Sequence, residues 1–555
     1  MTTSPLPTTP TSSAERPRMP LRRKVAALST AAVLMLASAC GASDGTATTS
    51  TAVGSQSSVS ASSLTANTVG VADTHADAND GDYSPDGATT ITLADGASTV
   101  DGTGAHVEGD VVTITKAGTY LVSGTLTDGQ LVVDSTGDGK VVLVLDGVDL
   151  TSADTSPVVI TEADEAVLVL ADGSTNVLAD SAASGDDDKE DDAPTATLFS
   201  MADLTIAGSG SLRVNGTSND AIAAKDGLVI LSGTIDVTAA DDGIRGKDYL
   251  VVQGGTLSVE SGGDGLKSDN EDVGELGWVQ IDAGTVTIAA GDDGVDAVGA
   301  INVADGTLVV TESEEGLEAA AITIAGGAVE VTANDDGLNA TDASSAGESA
   351  QDGVLITISG GDVAVTTGAD GLDSNGSAII TGGTTVVSST APGGGDGSLD
   401  VNGTLAVNSG TLAALGGISR SPATDSEQGF VAVSLDTAVE VGQQVAVVDS
   451  GGEVVARYVV EDPTWAVIVA ADGIVNGDSY DVVAGDAGGQ TGFSTGGSTA
   501  GLTTVGTATA GESTGGGMGG PRGGGPGDLG GGPGAPPAGE GGGGFGFPPG
   551  STEQG

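Results

Sequence analysis

The sequence predicts an all-β solenoid, a chain wound into stacked coils, and three observations predict it. First, one phrase recurs between Ser209 and Ser377: a Gly, a short β-type run, a few small residues, an acidic pair, then Gly and an aliphatic. The copies read GTIDVTAADDGI (Gly233–Ile244), GTLSVESGGDGL (Gly255–Leu266), GTVTIAAGDDGV (Gly284–Val295), GTLVVTESEEGL (Gly306–Leu317), GAVEVTANDDGL (Gly327–Leu338) and GDVAVTTGADGL (Gly361–Leu372). Second, the Gly after the acidic pair falls at 243, 265, 294, 316, 337 and 371, a period near 22 with two insertions and no helical pattern. Third, Gly supplies 94 of 555 residues and aromatics only 2%. Such a composition cannot build a compact core of large side chains, but it suits a narrow coil interior filled by stacked Val, Ile, Leu and Ala.

Each segment has its own justification. Residues 1–39 read as a lipoprotein signal peptide: Arg16, Arg18, Arg22, Arg23 and Lys24 precede the short apolar run Val25–Leu36, and Ala37-Ser38-Ala39-Cys40 follows. That ending resembles a bacterial lipobox, so the single Cys, Cys40, is expected to carry lipid; an ordinary secretory signal is the alternative. Residues 40–85, rich in Ser, Thr, Ala and Asp, read as a flexible tether. Residues 86–420 read as the solenoid. It opens with β-branched runs in Val111–Gly124, Gln130–Ser135, Lys140–Leu150, Ser156–Thr161 and Ala166–Asp172, whose spacing fits early coils or a sandwich, coils being preferred. The acidic stretch Gly185–Asp192 reads as a solvated loop. Residues 421–484 (FVAVSL, QQVAVVDS, VVARYVV, WAVIVA) read as a small antiparallel β cap, and Gly/Pro-rich 485–555 as a disordered tail.

The repeat also aligns charge. Equivalent positions on successive coils lie about 4.8 Å apart. One carboxylate column is then Asp220, Asp242, Asp264, Asp293, Glu315, Asp336 and Asp370, and the position before it gives Asp241, Asp292, Glu314 and Asp335. Two residues beyond each Gly, a third column reads Arg245, Lys267, Asp296, Glu318, Asn339 and Asp373, while Ile244, Leu266, Val295, Leu317, Leu338 and Leu372 point inward. Like charges at ~4.8 Å repel by roughly 1 kcal/mol in water and about 3–4 kcal/mol at an effective dielectric of 20. Protons or cations must therefore enter the columns, unless the acidic turns are simply solvated. Oxygen ligands without His or Cys favour Ca2+ over Mg2+ and argue against zinc or copper. A formal net charge of −61 makes nucleic acid and anionic membrane surfaces poor partners.

AIAAKDGLVI (Ala221–Ile230) aligns with GIRGKDYLVV (Gly243–Val252) and stacks Lys225 beneath Lys247. With Arg245 and Lys267 these residues form a cationic strip beside the acidic one. It serves either to compensate charge within the ladder or to hold the carboxylates of an acidic sugar polymer beside bound calcium. The two tryptophans, Trp278 and Trp465, leave little surface for stacking neutral sugars; Trp278 is expected to cover the core rather than form a sugar platform.

The phrases DDGIRGKDYLVVQGGTLSVESGGDGLKSDNED (Asp241–Asp272) and GGAVEVTANDDGLNATD (Gly326–Asp342) resemble those of a bacterial cell-surface carbohydrate-binding β-helix family of cellulolytic clostridia. The resemblance runs from about Thr89 to Val483. It implies a right-handed parallel β-helix, bound calcium, and binding of cellulose or pectin-like acidic polysaccharide, with a fold akin to family 9 polysaccharide lyases. The expected function is a non-catalytic lipoprotein, monomeric and anchored through Cys40 to the outer face of a bacterial membrane, that binds polysaccharide through Ca2+. A calcium-dependent lyase using Lys225, Lys247 or Lys267 as base, and a structural surface spacer or adhesin, are the alternatives.

Overall fold

The computed structural model describes residues 74–181, 194–342, 349–391, 396–417 and 420–512. The signal peptide, Cys40, most of the tether, the acidic loop 185–192 and residues beyond 512 lie outside this set. The described residues contain strands and turns but no helix, so none offers a helix long and apolar enough to cross a membrane.

One large, mostly parallel sheet takes up nearly all the strands, an arrangement consistent with a β-helix or solenoid. Three ladders run through the repeats. The first joins Ser211–Asn215, Thr234–Thr238, Thr256–Glu260, Thr285–Ala289 and onward to Thr411–Gly416. Alternation decides its faces: Ile235 and Val237 are buried while Asp236 between them turns outward. The second ladder follows each acidic turn: Asp220–Ala224, Ile244–Gly246, Leu266–Ser268, Val295–Val303, Leu317–Ile324, Leu338–Ala340, Leu372–Ser374 and Leu399–Val401. The third includes Gly227–Ile230, Tyr249–Val252, Trp278–Ile281 and Leu355–Ile358. The early runs also pair in parallel, Gly118–Leu126 with Lys140–Ser152 and the latter with Glu165–Leu170, so they are coils and not a sandwich.

Ile244, Leu266, Val295, Leu317, Leu338, Leu372 and Leu399 are fully buried and stacked in register. Each contributes about 1.5–3 kcal/mol of apolar burial. The recurring Gly before them has a steric cause. A Cβ on Gly243 would stand 2.6 Å from the Gly265 carbonyl oxygen, and one on Gly265 2.6 Å from that of Gly294. On these coils a side chain would meet the next coil's backbone, while Ala221 and Ser398 take the same corner at the two ends of the run.

Two boundaries move. The tether was expected to reach residue 85, yet its last part docks on the coils. His75 accepts or donates hydrogen bonds with the Tyr249 hydroxyl (2.8 Å) and Thr205 Oγ1 (3.0 Å), and Lys140 grips Asp80 at 2.5 Å. The polar composition that suggested flexibility supplies the docking bonds. At the other end, the four strands read in 421–484 are present, and Thr464–Ala470 pairs antiparallel with both Thr411–Gly416 and Phe430–Val439. Residues after 485, expected to be unstructured, extend this region. Thr503–Thr509 pairs with Ser479–Asp486, and Phe493–Ser494 pairs with Val454–Val459, in a five-stranded antiparallel sheet. Val505 and Ala510 reach its core, which a Gly/Thr-rich composition conceals.

Candidate functional site

The acidic turns do stack, but the columns differ in kind. Asp241, Asp292, Glu314 and Asp335 are exposed to solvent. The neighbouring column turns inward: Asp220 is 3%, Asp242 6%, Asp264 3% and Asp370 9% exposed, with Asp293, Glu315 and Asp336 half-buried. The inward turn follows from hydrogen bonding. Asp242 Oδ1 accepts the backbone N–H of Asp264 (3.0 Å), Asp264 Oδ1 that of Asp293 (2.9 Å), Asp336 Oδ1 that of Asp370 (2.8 Å) and Asp370 Oδ1 that of Gly397 (2.6 Å). A short Asp at this corner thus satisfies the donor one coil further on, which would otherwise be orphaned.

At its N-terminal end the chain's own cations balance this column. Lys267 Nζ contacts Asp264 and lies 3.5 Å from Asp242 and 3.7 Å from Asp296. Burial opposes the charge on Lys267, but Asp264 and Asp242 outweigh it and hold the ammonium ionised. Arg245 makes a two-pronged bond to Asp269 (Nε–Oδ1 3.0 Å, Nη2–Oδ2 2.5 Å) and reaches Asp220 at 3.8 Å. Lys247 points to exposed Asp272 at 3.8 Å. Lys225 is half-buried and forms no salt bridge among the described residues; burial, then Arg245, lowers its pKa. The strip therefore acts largely as charge compensation, with Lys225 the exception.

Further along, no basic side chain enters the stack until Arg420. Asp264, Asp292 and Asp293 bring one carboxylate oxygen each within 4.8 Å of one another, and so do Asp293, Glu315 and Glu318. Burial pushes the Asp293 carboxyl up to about 8, with Asp264 and Glu315 adding to it. Glu318 is raised well above the usual carboxylate range by burial and the adjacent Glu315. Burial together with Asp264 lifts Asp296 to about 7. The same holds beyond: Asp370 rises to about 8, and Asp373, facing Asp336 and Asp400, to about 7. Charge accumulates here faster than the fold can neutralise it.

An open groove of about 750 Å³ lies against this stretch, floored by Lys267, Asp296 and Glu318 and flanked by Asp269, Glu271 and Asp342. Sequence reasoning missed the flanking residues, although the two long repeat steps that carry them were visible. It also missed Asp400, which continues the third column by pairing with Asp373. DGSLDVNG (Asp396–Gly403) repeats ADGLDSNG (Ala369–Gly376), disguised by Ser398 in place of Gly.

Trp278 is 6% exposed and stacks on Tyr249, centroids 5.0 Å apart and planes 14° from parallel. The rings lie on adjacent coils and cover one another's faces, and Tyr249 also lies over Gly227. With Ala76 and Ala300 packed around them, they serve as core cover.

Residues 108–397, just over half of the chain, match the family described as "Carbohydrate-binding domain-containing protein". A protein of that same description from Acetivibrio thermocellus is 41% identical over 143 residues, which is 26% of this chain. The match spans about half (49%) of that relative's length. A solved structure described as a "polysaccharide lyase-like protein from C. thermocellum, Gadolinium derivative" aligns at 32% identity over 44% of this chain and 94% of its own, with a TM-score of 0.37. By the extent of the family match, the chain belongs to the carbohydrate-binding domain-containing proteins.

Proposed function

We propose that this protein binds polysaccharide without cleaving it, through Ca2+ held on the stacked carboxylates of a right-handed β-helix. The observation that carries the reading is the convergence of Asp293, Glu315 and Glu318 beside the groove, with Glu318 belonging to both. The donor set suits the ion. It consists of oxygens alone, and Asn339 adds a buried Oδ1 with no hydrogen-bond partner while its Nδ2 donates to Glu315 (2.6 Å). Rotating the amide would turn this orphaned oxygen, in place of Nδ2, toward Glu315, where a hard cation would satisfy it. Asp264 and Asp292 would complete the shell on the preceding coil. Bound there, calcium supplies positive charge and open coordination positions to sugar carboxylates or hydroxyls. Asp336, Asp370 and Asp373 are a further place for the ion. Asp220 and Asp242, already matched by Arg245 and Lys267, act as struts in this reading. Anchoring through lipid on Cys40 would present the groove at the cell surface, each monomer binding on its own.

Retention on pectate and on cellulose, each with Ca2+ and with chelator, tests this. Calcium-dependent retention with intact polymer is expected; no retention, with only thermal stability responding to chelator, would reduce the protein to a structural spacer. One observation favours a second reading. Lys225, half-buried with a lowered pKa beside Arg245, has the character of a general base. Release of unsaturated uronate products, abolished by Lys225→Met, would establish a lyase instead.

A further inference from the structure

The docked end of the tether crosses the coils as a strap, and it meets them at a cluster that the groove does not use. Lys140 and Glu165 are register partners on neighbouring strands, beside Val142 and Val167 on the same outward face. Asp80 of the strap lies over them. Lys140 Nζ stands 2.5 Å from Asp80 Oδ1 and 2.7 Å from Glu165 Oε1. The side chains of Asp80 and Glu165 are only 7% and 13% exposed. The second Asp80 oxygen, Oδ2, accepts the backbone N–H of Asp77 at 2.6 Å. A nitrogen nucleophile, a carboxyl carbon one bond beyond the contact, a second carboxyl group and an N–H donor thus converge. We propose that Lys140 and Asp80 condense to an amide that ties the strap covalently to the solenoid, with Glu165 as the catalytic acid and base. This modification stands apart from the polysaccharide reading and does not depend on it.

The chemistry balances without a co-reactant. Burial opposes the Lys140 ammonium, but Asp80, Glu165 and Asp77 outweigh it and hold the group ionised. The free amine therefore arises by handing a proton across the 2.5 Å contact to Asp80 Oδ1, which leaves a neutral amine facing a neutral acid. The nitrogen lone pair forms the bond to Asp80 Cγ, and the carbonyl electron pair moves onto Oδ2, where the Asp77 N–H stabilises it. Glu165 takes a second proton from the nitrogen and passes it to Oδ1. The Cγ–Oδ1 bond then breaks, Oδ1 departs as water, and the pair on Oδ2 restores the carbonyl. Nζ has lost two protons to that water, and Glu165 ends as it began. Burial pushes the Glu165 carboxyl up to about 7, against the pull of Lys140, so it can both take and return a proton near neutrality. Well-oriented groups held in contact can react as though at concentrations on the order of 10⁵ M or more. The amide also removes a half-buried ammonium and a buried carboxylate, each costly to keep from water. Asp77 reaches Nζ too, at 3.2 Å, but its side chain is 78% exposed, so water competes for it.

The experiment unfolds the full chain, digests it with trypsin and reads the peptides by mass spectrometry. Trypsin does not cut after a lysine whose amine is acylated. The expected result is loss of cleavage after Lys140 and a branched peptide joining the sequence around Asp80 to that around Lys140, lighter than its two parts by one water. Glu165→Gln should lower the yield of that branch at least tenfold and restore cleavage after Lys140, and Asp80→Ala should abolish the branch. Amide exchange across Ser211–Asn215 and Thr234–Thr238 is followed in each variant to show that the coils are intact. Cleavage after Lys140 in the unaltered protein, with Asp80 and Lys140 recovered only in separate linear peptides, would mean an ion pair alone and overturn the bond. A branch at Asp77 would overturn the choice of Asp80, and equal yield in Glu165→Gln would overturn the role of Glu165.

Discussion

Replacing Lys267 with Gln should make one part of the solenoid depend on calcium. The ammonium contacts Asp264 and lies within 4 Å of Asp242 and Asp296, its side chain 24% exposed. Removing one partner of a buried ion pair costs about 3–5 kcal/mol, since the remaining charge keeps its desolvation penalty. Partial solvent access puts the cost near the low end, about 3 kcal/mol, or roughly a hundredfold in a local opening equilibrium. Because each coil of a solenoid leans only on its neighbours, the loss should stay local. Amide hydrogen exchange read by mass spectrometry is the suitable assay. In chelator, peptides covering Thr256–Ser268 should exchange roughly a hundred times faster in Lys267→Gln than in the unaltered protein, with Ser479–Asp486 unchanged. Calcium should restore most of that protection by supplying the missing positive charge. Equal exchange of the two proteins in chelator would refute the claim that Lys267 neutralises this stack.

Other outcomes follow from the same structure. Raised carboxyls at Asp293, Asp296, Asp370 and Asp373 bind protons in the folded state that the unfolded chain has already released. The contribution of these groups to metal-free stability should therefore be fully present only below about pH 4, decline steadily as pH rises from there, by about 1 kcal/mol per unit for a fully shifted group and less after screening, and level off above about pH 8; melting in chelator across pH 4–8 checks this, and calcium should flatten the curve. Gly294→Ala would push a Cβ to 2.5 Å from the Gly316 carbonyl oxygen, so a loss of at least about 2 kcal/mol is expected in denaturant melts. His75→Ala removes the bonds to Tyr249 and Thr205, so limited proteolysis should cut the chain around residue 75 while the coils stay resistant.

The repeat was legible because its physics is local. The inward aliphatic, the corner Gly and at least one acidic residue before it recur on each coil from Gly243 to Leu372, and the register from Ile244 to Leu372 follows from their alignment. What escaped depends on contacts distant in the chain. Nothing near His75 shows that it meets Tyr249, 174 residues away, and nothing near Asp269 shows that Arg245 fixes it. The split between an inward and an outward carboxylate column was hidden too, since both positions read as Asp. It is set by the backbone N–H that Asp242, Asp264, Asp336 and Asp370 each receive from the next coil.

Calorimetric titration of Ca2+ into the full chain, beside the Asp293→Asn and Glu318→Gln variants, is the most direct test. The account predicts saturable binding to the unaltered protein and weakening of at least tenfold in each variant, because both remove an oxygen charge from the same cluster. Absence of saturable binding, or binding equally tight in all three, would contradict it.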